Sequence, residues 1–285
     1  MIGIIMAGGL GSRLYPTTNG ISKQLLPIFD KPMIYYPLTT LMFAGIREYV
    51  IIVSPESLSH YKQILGDGSQ WGVVFNYIVQ EQPKGIADCF NLVPKHLTSQ
   101  TCLVILGDNI FYGTGFGRSL KFEFSGNGAL AYAYEVSNPA DYGVVQLDEL
   151  GNPICIVEKP KDFLSKYAIP GLYWFDSDCF EKVKKIQYSN RHELEITDIL
   201  NLYLKEKKLT IKIIPRGTAW LDTGNSHNLL AASNFVSVIE DRQGLKIGCP
   251  EEVAFREKLI SFSQLKVLIN QMPPGTYRNY LEKIQ

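Results

Sequence analysis

Met1-Ile2-Gly3-Ile4-Ile5-Met6-Ala7-Gly8-Gly9-Leu10-Gly11-Ser12-Arg13 reads as a buried strand running into a glycine-rich turn and then a cation. Glycines tolerate positive φ, and without side chains they let backbone N–H groups approach an anion closely. A guanidinium matches phosphate oxygens two at a time. The stretch therefore suits a phosphorylated small molecule held by Gly8, Gly9, Gly11, Ser12 and Arg13. A plain tight turn after an opening strand is the competing reading. No Gly-Lys-Ser/Thr closes the turn, so it is not a P-loop. Leu14 stands where G-x-G-x-x-G would need its third glycine, which argues against a dinucleotide site and hydride transfer.

The segments that follow decide the fold class. Gly3–Ala7, Tyr49–Val53 and Cys102–Leu106 are continuous apolar runs, as expected of strands buried on both faces of a parallel sheet. Between them fall a helix expected over Pro32–Ala44, with Gly45 as its C′ residue, another over Ser59–Leu65, a strand over Val73–Val79 and a short helix over Ile86–Val93. This alternation predicts an α/β fold, a doubly wound, mostly parallel, Rossmann-like sheet with right-handed crossovers. Ligands then sit beyond the carboxyl ends of the strands, where Gly8–Arg13 and Leu106-Gly107-Asp108-Asn109 both fall. Shorter strands over Ala129–Glu135, Gly143–Leu147, Ile154–Val157 and Leu209–Ile214, with a helix over Glu193–Glu206, predict an added mixed β layer walling the other side of a cleft. From Ser226 the chain reads as helical, over Ser226–Glu240, Glu251–Lys258, Ser261–Ile269 and Tyr277–Ile284. The expected organisation is an α/β domain over 1–225, with a nucleotide half to about 115 and a sugar half from about 116. A helical appendage follows over 226–285.

Composition narrows the partners. Lys+Arg and Asp+Glu both number 28, and such neutrality argues against a nucleic-acid polymer. The 5 cysteines are widely spaced with no C-x-x-C pair, which points away from disulfide scaffolding or a zinc site and toward a reducing cytoplasm. Each reads as a small core hydrophobe. The opening has no basic n-region, and no apolar run approaches a bilayer's thickness, so neither a signal peptide nor a membrane span is expected.

Several side chains carry candidate chemistry, each beside a plainer alternative. Lys23, in Ser22-Lys23-Gln24-Leu25-Leu26-Pro27, meets the same phosphates as Arg13 if its loop folds back; otherwise it is a solvated surface lysine. Asp108, at the tip of an apolar run after Gly107, suits a Mg²⁺ ligand or a turn aspartate. Asp222, in Trp220-Leu221-Asp222-Thr223-Gly224, repeats that pattern, but spacing alone does not pair the two. In Glu158-Lys159-Pro160 the proline keeps Lys159 extended, so that one side chain could meet a neutral sugar and the other a phosphate; an exposed turn pair is the alternative. Gly85 reads as a turn glycine or a seat for a planar base, and the Gln80 amide could read a base edge.

Taken together, these segments resemble the sugar nucleotidyltransferases. The family pattern G-G-x-G-[ST]-R-L-x-P-x-T is met by Gly8 to Thr18. Further matches are Ser22–Pro27 and Asp30-Lys31-Pro32-Met33-Ile34-Tyr35-Tyr36-Pro37. Leu65–Gly72 and Leu106–Gly113 look like the branch that transfers thymidylyl groups, as do Tyr142-Gly143-Val144-Val145, Glu158-Lys159-Pro160, Glu193–Asp198 and Ala219–Gly224. The similarity runs from about Met1 to Tyr280. It implies transfer from dTTP to α-D-glucose 1-phosphate, giving dTDP-glucose and pyrophosphate for dTDP-deoxysugar and surface polysaccharide synthesis, with Mg²⁺ on Asp108 and Asp222. It further implies Arg13, Lys23 and Lys159 as catalytic cations. Gln24, Gln80, Pro83, Gly85 and Asp108 would join the glycine turn around the nucleotide. Asn109, Tyr142, Gly143, Glu158, Lys159 and Tyr173 would hold the sugar phosphate. The helical tail looks like that of the shorter members, which implies a homotetramer and feedback inhibition by a dTDP-sugar.

Two positions depart from the family pattern. Asp88, in Pro83-Lys84-Gly85-Ile86-Ala87-Asp88-Cys89-Phe90, replaces a glutamine beside the expected base pocket, and His192 replaces a glycine before Glu193-Leu194-Glu195. A uridylyltransferase making UDP-glucose and a non-catalytic sugar-nucleotide-binding regulatory subunit are the alternatives in function.

Overall fold

The computed structural model describes residues 1–9 and 11–284. Its strands, in chain order, are β1 Ile2–Ala7, β2 Pro27–Ile28, β3 Lys31–Pro32, β4 Glu48–Val53, β5 Val74–Val79, β6 Cys102–Leu106, β7 Asn109–Tyr112, β8 Ala129–Glu135, β9 Gly143–Leu147, β10 Pro153–Glu158, β11 Tyr167–Ala168, β12 Leu172–Phe175, β13 Leu209–Ile213 and β14 Ala219–Asp222. Its α-helices are α1 Tyr35–Phe43, α2 Leu58–Leu65, α3 Cys89–Leu92, α4 Phe116–Ser119, α5 Cys179–Lys182, α6 Ile196–Lys205, α7 Ser226–Gln243, α8 Pro250–Arg256, α9 Phe262–Gln271 and α10 Thr276–Leu281.

The central sheet has the order β10-β9-β11-β8-β12-β6-β1-β4-β5, with β13 beside β8. The strands β6, β1, β4 and β5 run parallel, and β12 joins them antiparallel through β6. The mixed strands therefore extend the same sheet. The expected α/β class, with its added strands and C-terminal helices, is the observed architecture.

Successive residues of the parallel strands enter opposite cores, because side chains alternate across a sheet. Ile5, Tyr49, Ile51, Leu103 and Ile105 pack on one face, against Leu38, Leu41 and Met42 of α1. Ile4, Val50, Ile52, Cys102 and Val104 pack on the other, against Ile199, Leu200 and Tyr203 of α6. That two-sided burial is why these strands read as continuous apolar runs. Val253, Leu265, Ile269 and Leu281 of the C-terminal helices share the first core.

Three expectations shift. The first long helix begins at Tyr35, not Pro32. Pro32 pairs with Pro27 in a two-residue bridge, and Ile34 N–H donates to Gln24 O at 2.9 Å, so this stretch is spent closing the loop that carries Lys23. Pro37 is the proline of the helix's first turn, where no N–H is needed. Gly45 does follow the helix in a left-handed conformation, φ +82°. Glu193–Glu195 lie outside the helix, with Glu195 as its extended N-cap, and Leu194 exchanges backbone hydrogen bonds with Lys84 and Ala87. Cys155 is only partly buried, while the other cysteines are buried and all are free.

Candidate active site

The turn after β1 is built as its glycines suggest. Gly11 has φ +62°, and a Cβ there would lie 2.9 Å from Thr18 Cγ2 and 3.1 Å from Lys23 Cβ. Gly9, Gly11, Ser12, Arg13, Lys23, Gln24, Asp108 and Gly224 line one cavity of about 220 Å³. Lys23 is not a surface lysine: it is 5% exposed, and its Nζ pairs with Asp108 Oδ2 at 2.5 Å. Arg13 stays exposed at the mouth. Among the described residues neither Arg13 nor Lys159 has a carboxylate within ion-pair distance, which leaves both cations open to an anionic ligand.

The two aspartates meet through strand register. Gly107 lets β6 end against β1, where its N–H donates to Met6 O at 2.9 Å and a Cβ would lie 2.7 Å from that oxygen. The chain then turns into β7, which pairs antiparallel with β14 and sets Asp222 opposite Asn109, next to Asp108. Thr223 closes the junction, its N–H and Oγ1 both donating to Asp108 O at 3.2 and 2.9 Å. Burial alone would raise Asp108, but Lys23's charge and hydrogen bond hold it below the ordinary aspartate value. Asp222 has no such partner, and burial, reinforced by Asp108's charge, pushes it up to about 6. Gly224 completes the corner. A Cβ there would lie 3.0 Å from an Arg13 guanidinium nitrogen and 3.1 Å from Asp222 Oδ2.

Arg13, Asp108, Asn109, Tyr142, Gly143, Glu158, Lys159, Tyr173 and Asp222 line a second, adjoining cavity of about 150 Å³. Tyr173, on β12, is buried, which raises its hydroxyl above the ordinary value. Asn109 is committed largely to the protein. Its Oδ1 accepts from Gly171 N–H at 3.0 Å and Trp220 Nε1 at 2.7 Å, and its Nδ2 donates to Asp108 Oδ1 at 2.9 Å. It orients the aspartate and keeps one amide hydrogen for a ligand. A Cβ at Gly143 would lie 2.9 Å from Thr197 Cγ2 and 3.2 Å from Glu158 Oε2, so the site needs glycine there. Burial and then Glu195's charge raise Glu158 above the ordinary glutamate value.

Lys159 is a correction. It is not extended but left-handed, at φ +45°. Pro160 excludes the right-handed helical region for Lys159. The hydrogen bond from Lys159 N–H to Tyr142 O, at 3.0 Å, accompanies a strained turn of the kind that collects at ligand sites. His192 also has positive φ, +59°, so the chain keeps the conformation a glycine would take. Its neighbour Arg191 escaped the sequence reading: it pairs with Glu195 at 2.7 Å and Glu158 at 3.1 Å.

Gln80, Pro83 and Gly85 line neither cavity. Gln80 is buried, while Pro83 is exposed. Gly85 is explained by packing: at φ +102°, a Cβ would lie 2.5 Å from both Leu194 N and O.

The chain is similar to known proteins in sequence and in fold. The family described as nucleotidyl transferase matches residues 2–238. A glucose-1-phosphate thymidylyltransferase of Mycobacterium tuberculosis is 48% identical over 281 residues, covering 99% of this chain and 98% of that protein. One from Mycolicibacterium smegmatis is 46% identical over 282 residues, again 99% of this chain and 98% of the relative. A Bacillus anthracis structure solved with sucrose, described as such a thymidylyltransferase, superposes with TM-score 0.76 at 38% identity, covering 82% of this chain and 95% of that one. A UDP-glucose pyrophosphorylase holding UDP-glucose superposes with TM-score 0.72 at 24% identity, covering 84% of this chain and 98% of that one, and shares the fold.

Proposed function

The chain belongs to the nucleotidyl transferase family, and on that premise we propose that it transfers the thymidylyl group of dTTP to α-D-glucose 1-phosphate. The products are dTDP-glucose and pyrophosphate, for deoxysugar and surface polysaccharide synthesis. One observation carries the reading: two adjoining cavities share Arg13 and Asp108, one walled by the glycine turn and the other by Asp222, Glu158 and Lys159. That arrangement lets the phosphate groups of two substrates meet beside Asp108.

An oxygen of the sugar phosphate attacks the α-phosphorus of dTTP, and the bond to the β-phosphate bridging oxygen breaks in line. The attacking oxygen is already ionised, so no side chain has to remove a proton. What the protein supplies is position and charge. Gly8, Gly9, Gly11, Ser12 and Gln24 cradle the triphosphate, and Arg13 faces the departing pyrophosphate. Lys159 holds the sugar phosphate. Glu158, Tyr142, Gly143, Tyr173 and Asn109 bracket the hexose, while Gln80, Pro83 and Gly85 bracket the base. Lys23 fixes Asp108 and offers a second cation to the phosphates.

Asp108 and Asp222 suit a divalent cation. They are two adjacent carboxylates, and repulsion from Asp108 helps hold Asp222 near 6, a penalty that a bound cation relieves. Among the described residues no group of three or more His, Cys, Asp and Glu could hold a metal, so Asp108 and Asp222 would hold the ion together with substrate oxygens and water. Mg²⁺ takes one or two carboxylates in this way, and it is the ion we propose. When bound it neutralises charge on the α-phosphate.

The resemblance to shorter family members supports two finer proposals. A homotetramer fits the large apolar side chains that α7 leaves exposed, Leu230 and Val238. Feedback by a dTDP-sugar fits a separate cavity of about 290 Å³, which combines Phe43 and Val253 with Arg118, Lys246 and Arg256. Among the described residues no helix is long and apolar enough to cross a membrane, and the free cysteines suit a cytoplasmic enzyme. Pyrophosphate release with glucose 1-phosphate and Mg²⁺, measured across dTTP, UTP, dCTP and dGTP, is the test. The highest kcat/KM is expected with dTTP. A preference for UTP would move the protein to the uridylyl branch, and no release with any of them would favour a regulatory subunit.

A further inference from the structure

Gln80 directly follows β5, its N–H donating to Val53 O at 2.9 Å. Its side chain is held in one orientation. Nε2 donates to Asp88 Oδ2 at 3.0 Å, and Asn91 Nδ2 donates to the other carboxylate oxygen, Oδ1, at 3.2 Å. Gln80 and Asp88 are each only 7% exposed. A carboxylate accepts and does not donate, so the Gln80 amide nitrogen has to face it. The carbonyl is thereby turned toward the glycine-rich turn, where Oε1 lies 3.2 Å from the point a Cβ on Gly8 would occupy. Among the described residues no donor bonds that oxygen. Reversing the amide would set Oε1 against Asp88, two acceptors facing each other away from water.

We propose that Asp88 is a positioning residue for nucleobase selection. By fixing Gln80 Oε1 as an acceptor beside the glycine turn, it selects a pyrimidine whose ring N3 carries a hydrogen over one whose N3 is itself an acceptor. Thymine and uracil are accepted and cytosine is refused. The proposal rests on the nucleotidyl-transfer reading and adds to it where base discrimination originates. An asparagine at this position can donate as well as accept, which frees the Gln80 amide to turn over and meet cytosine with its NH₂.

The test is kcat/KM for dTTP and dCTP, with glucose 1-phosphate and Mg²⁺, in the wild type and D88N. Wild type should prefer dTTP by roughly 10²-fold or more, since a buried polar group left facing an acceptor discriminates strongly. In D88N the ratio should fall about tenfold, the scale of one hydrogen bond. The loss with dTTP should fall on KM rather than kcat. D88S, which removes the carboxylate without adding bulk, gives the same readout should D88N fail to fold. A Q80L background separates positioning from general structure: with the acceptor gone, D88N should leave the ratio where Q80L set it. An unchanged dTTP:dCTP ratio in folded D88N or D88S overturns the role of Asp88 alone. A wild type that turns over neither nucleotide overturns the transferase reading and the inference with it.

Discussion

Asp30, Lys31, Glu240 and Lys246 form one ion cluster in this molecule, around the buried Lys31 and Glu240; Lys23, Asp108 and Asp222 form another, around the buried Lys23. In the first, charges balance. Lys31 pairs with Asp30 and, at 2.8 Å, with Glu240, while Lys246 pairs with Asp30 and, at 3.0 Å, with Glu240. The Glu240 carboxylate also accepts Ile247 N–H at 2.8 Å. This cluster clasps the end of α7 to the β2–β3 bridge. In the second cluster one buried lysine serves two carboxylates, and it sits on only one of them. A closed cluster holds elements together, whereas an open one has affinity to spare for a cation that arrives with substrate.

The sharpest break in this contrast is Asp108→Asn. It removes the carboxylate that Lys23 and Asn109 both hold in place. Turnover should fall about 10³-fold, the range seen when one preorganised electrostatic group is removed from an active site. Steady-state pyrophosphate release measures it, and thermal melting should show a folded protein. Full turnover in that variant would take Asp108 out of the mechanism and end the contrast.

Glu240→Gln tests the closed cluster with a smaller effect. It leaves Lys31, 2% exposed, with one carboxylate that it must share with Lys246. Breaking a buried pair by removing one partner costs about 3 kcal/mol. Urea unfolding should show that loss in the midpoint, with kcat/KM little changed at temperatures where the variant stays folded. Loss of turnover without loss of stability would mean that the cluster serves the site rather than the fold.

The sequence showed the two clusters unequally. The parallel strands were legible because both faces are buried, which left uninterrupted apolar runs, and the glycine turn, Lys23 and Asp108 lie at or near their ends. The pairing of Asp108 with Asp222 was not legible. It depends on β7 and β14, each four residues long, whose register no local pattern sets. Leu172–Phe175 went unread for a similar reason: it is short, follows Pro170-Gly171, and becomes a strand only by pairing with β6 and β8. Lys159 was misread because Pro160 excludes one region of backbone space without choosing between the others. Arg191 needed the fold, since only there does its side chain reach Glu158 as well as its near neighbours.

Asp222→Asn gives the smallest effect and probes the open cluster from the side of stability. The Asp222 carboxyl titrates at about 6 in the folded protein, against an ordinary 3.8, because burial and Asp108 disfavour its charge. Between those values the folded state holds a proton that the unfolded state has released, so stability falls as pH rises through the window. The penalty is complete above about pH 6 and absent below the ordinary value. Asparagine removes the ionisation, so the metal-free variant should be more stable than the wild type at pH 8, by on the order of 2 kcal/mol. The difference should shrink toward zero as pH is lowered to 4. Adding Mg²⁺ should stabilise the wild type at pH 8 and leave the variant nearly unmoved, since the ion binds the native carboxylates and not the unfolded chain. Melting curves at three pH values, with and without the ion, measure all of this. A variant less stable than the wild type at pH 8 would show that Asp222 is already compensated, and the two clusters would then be alike.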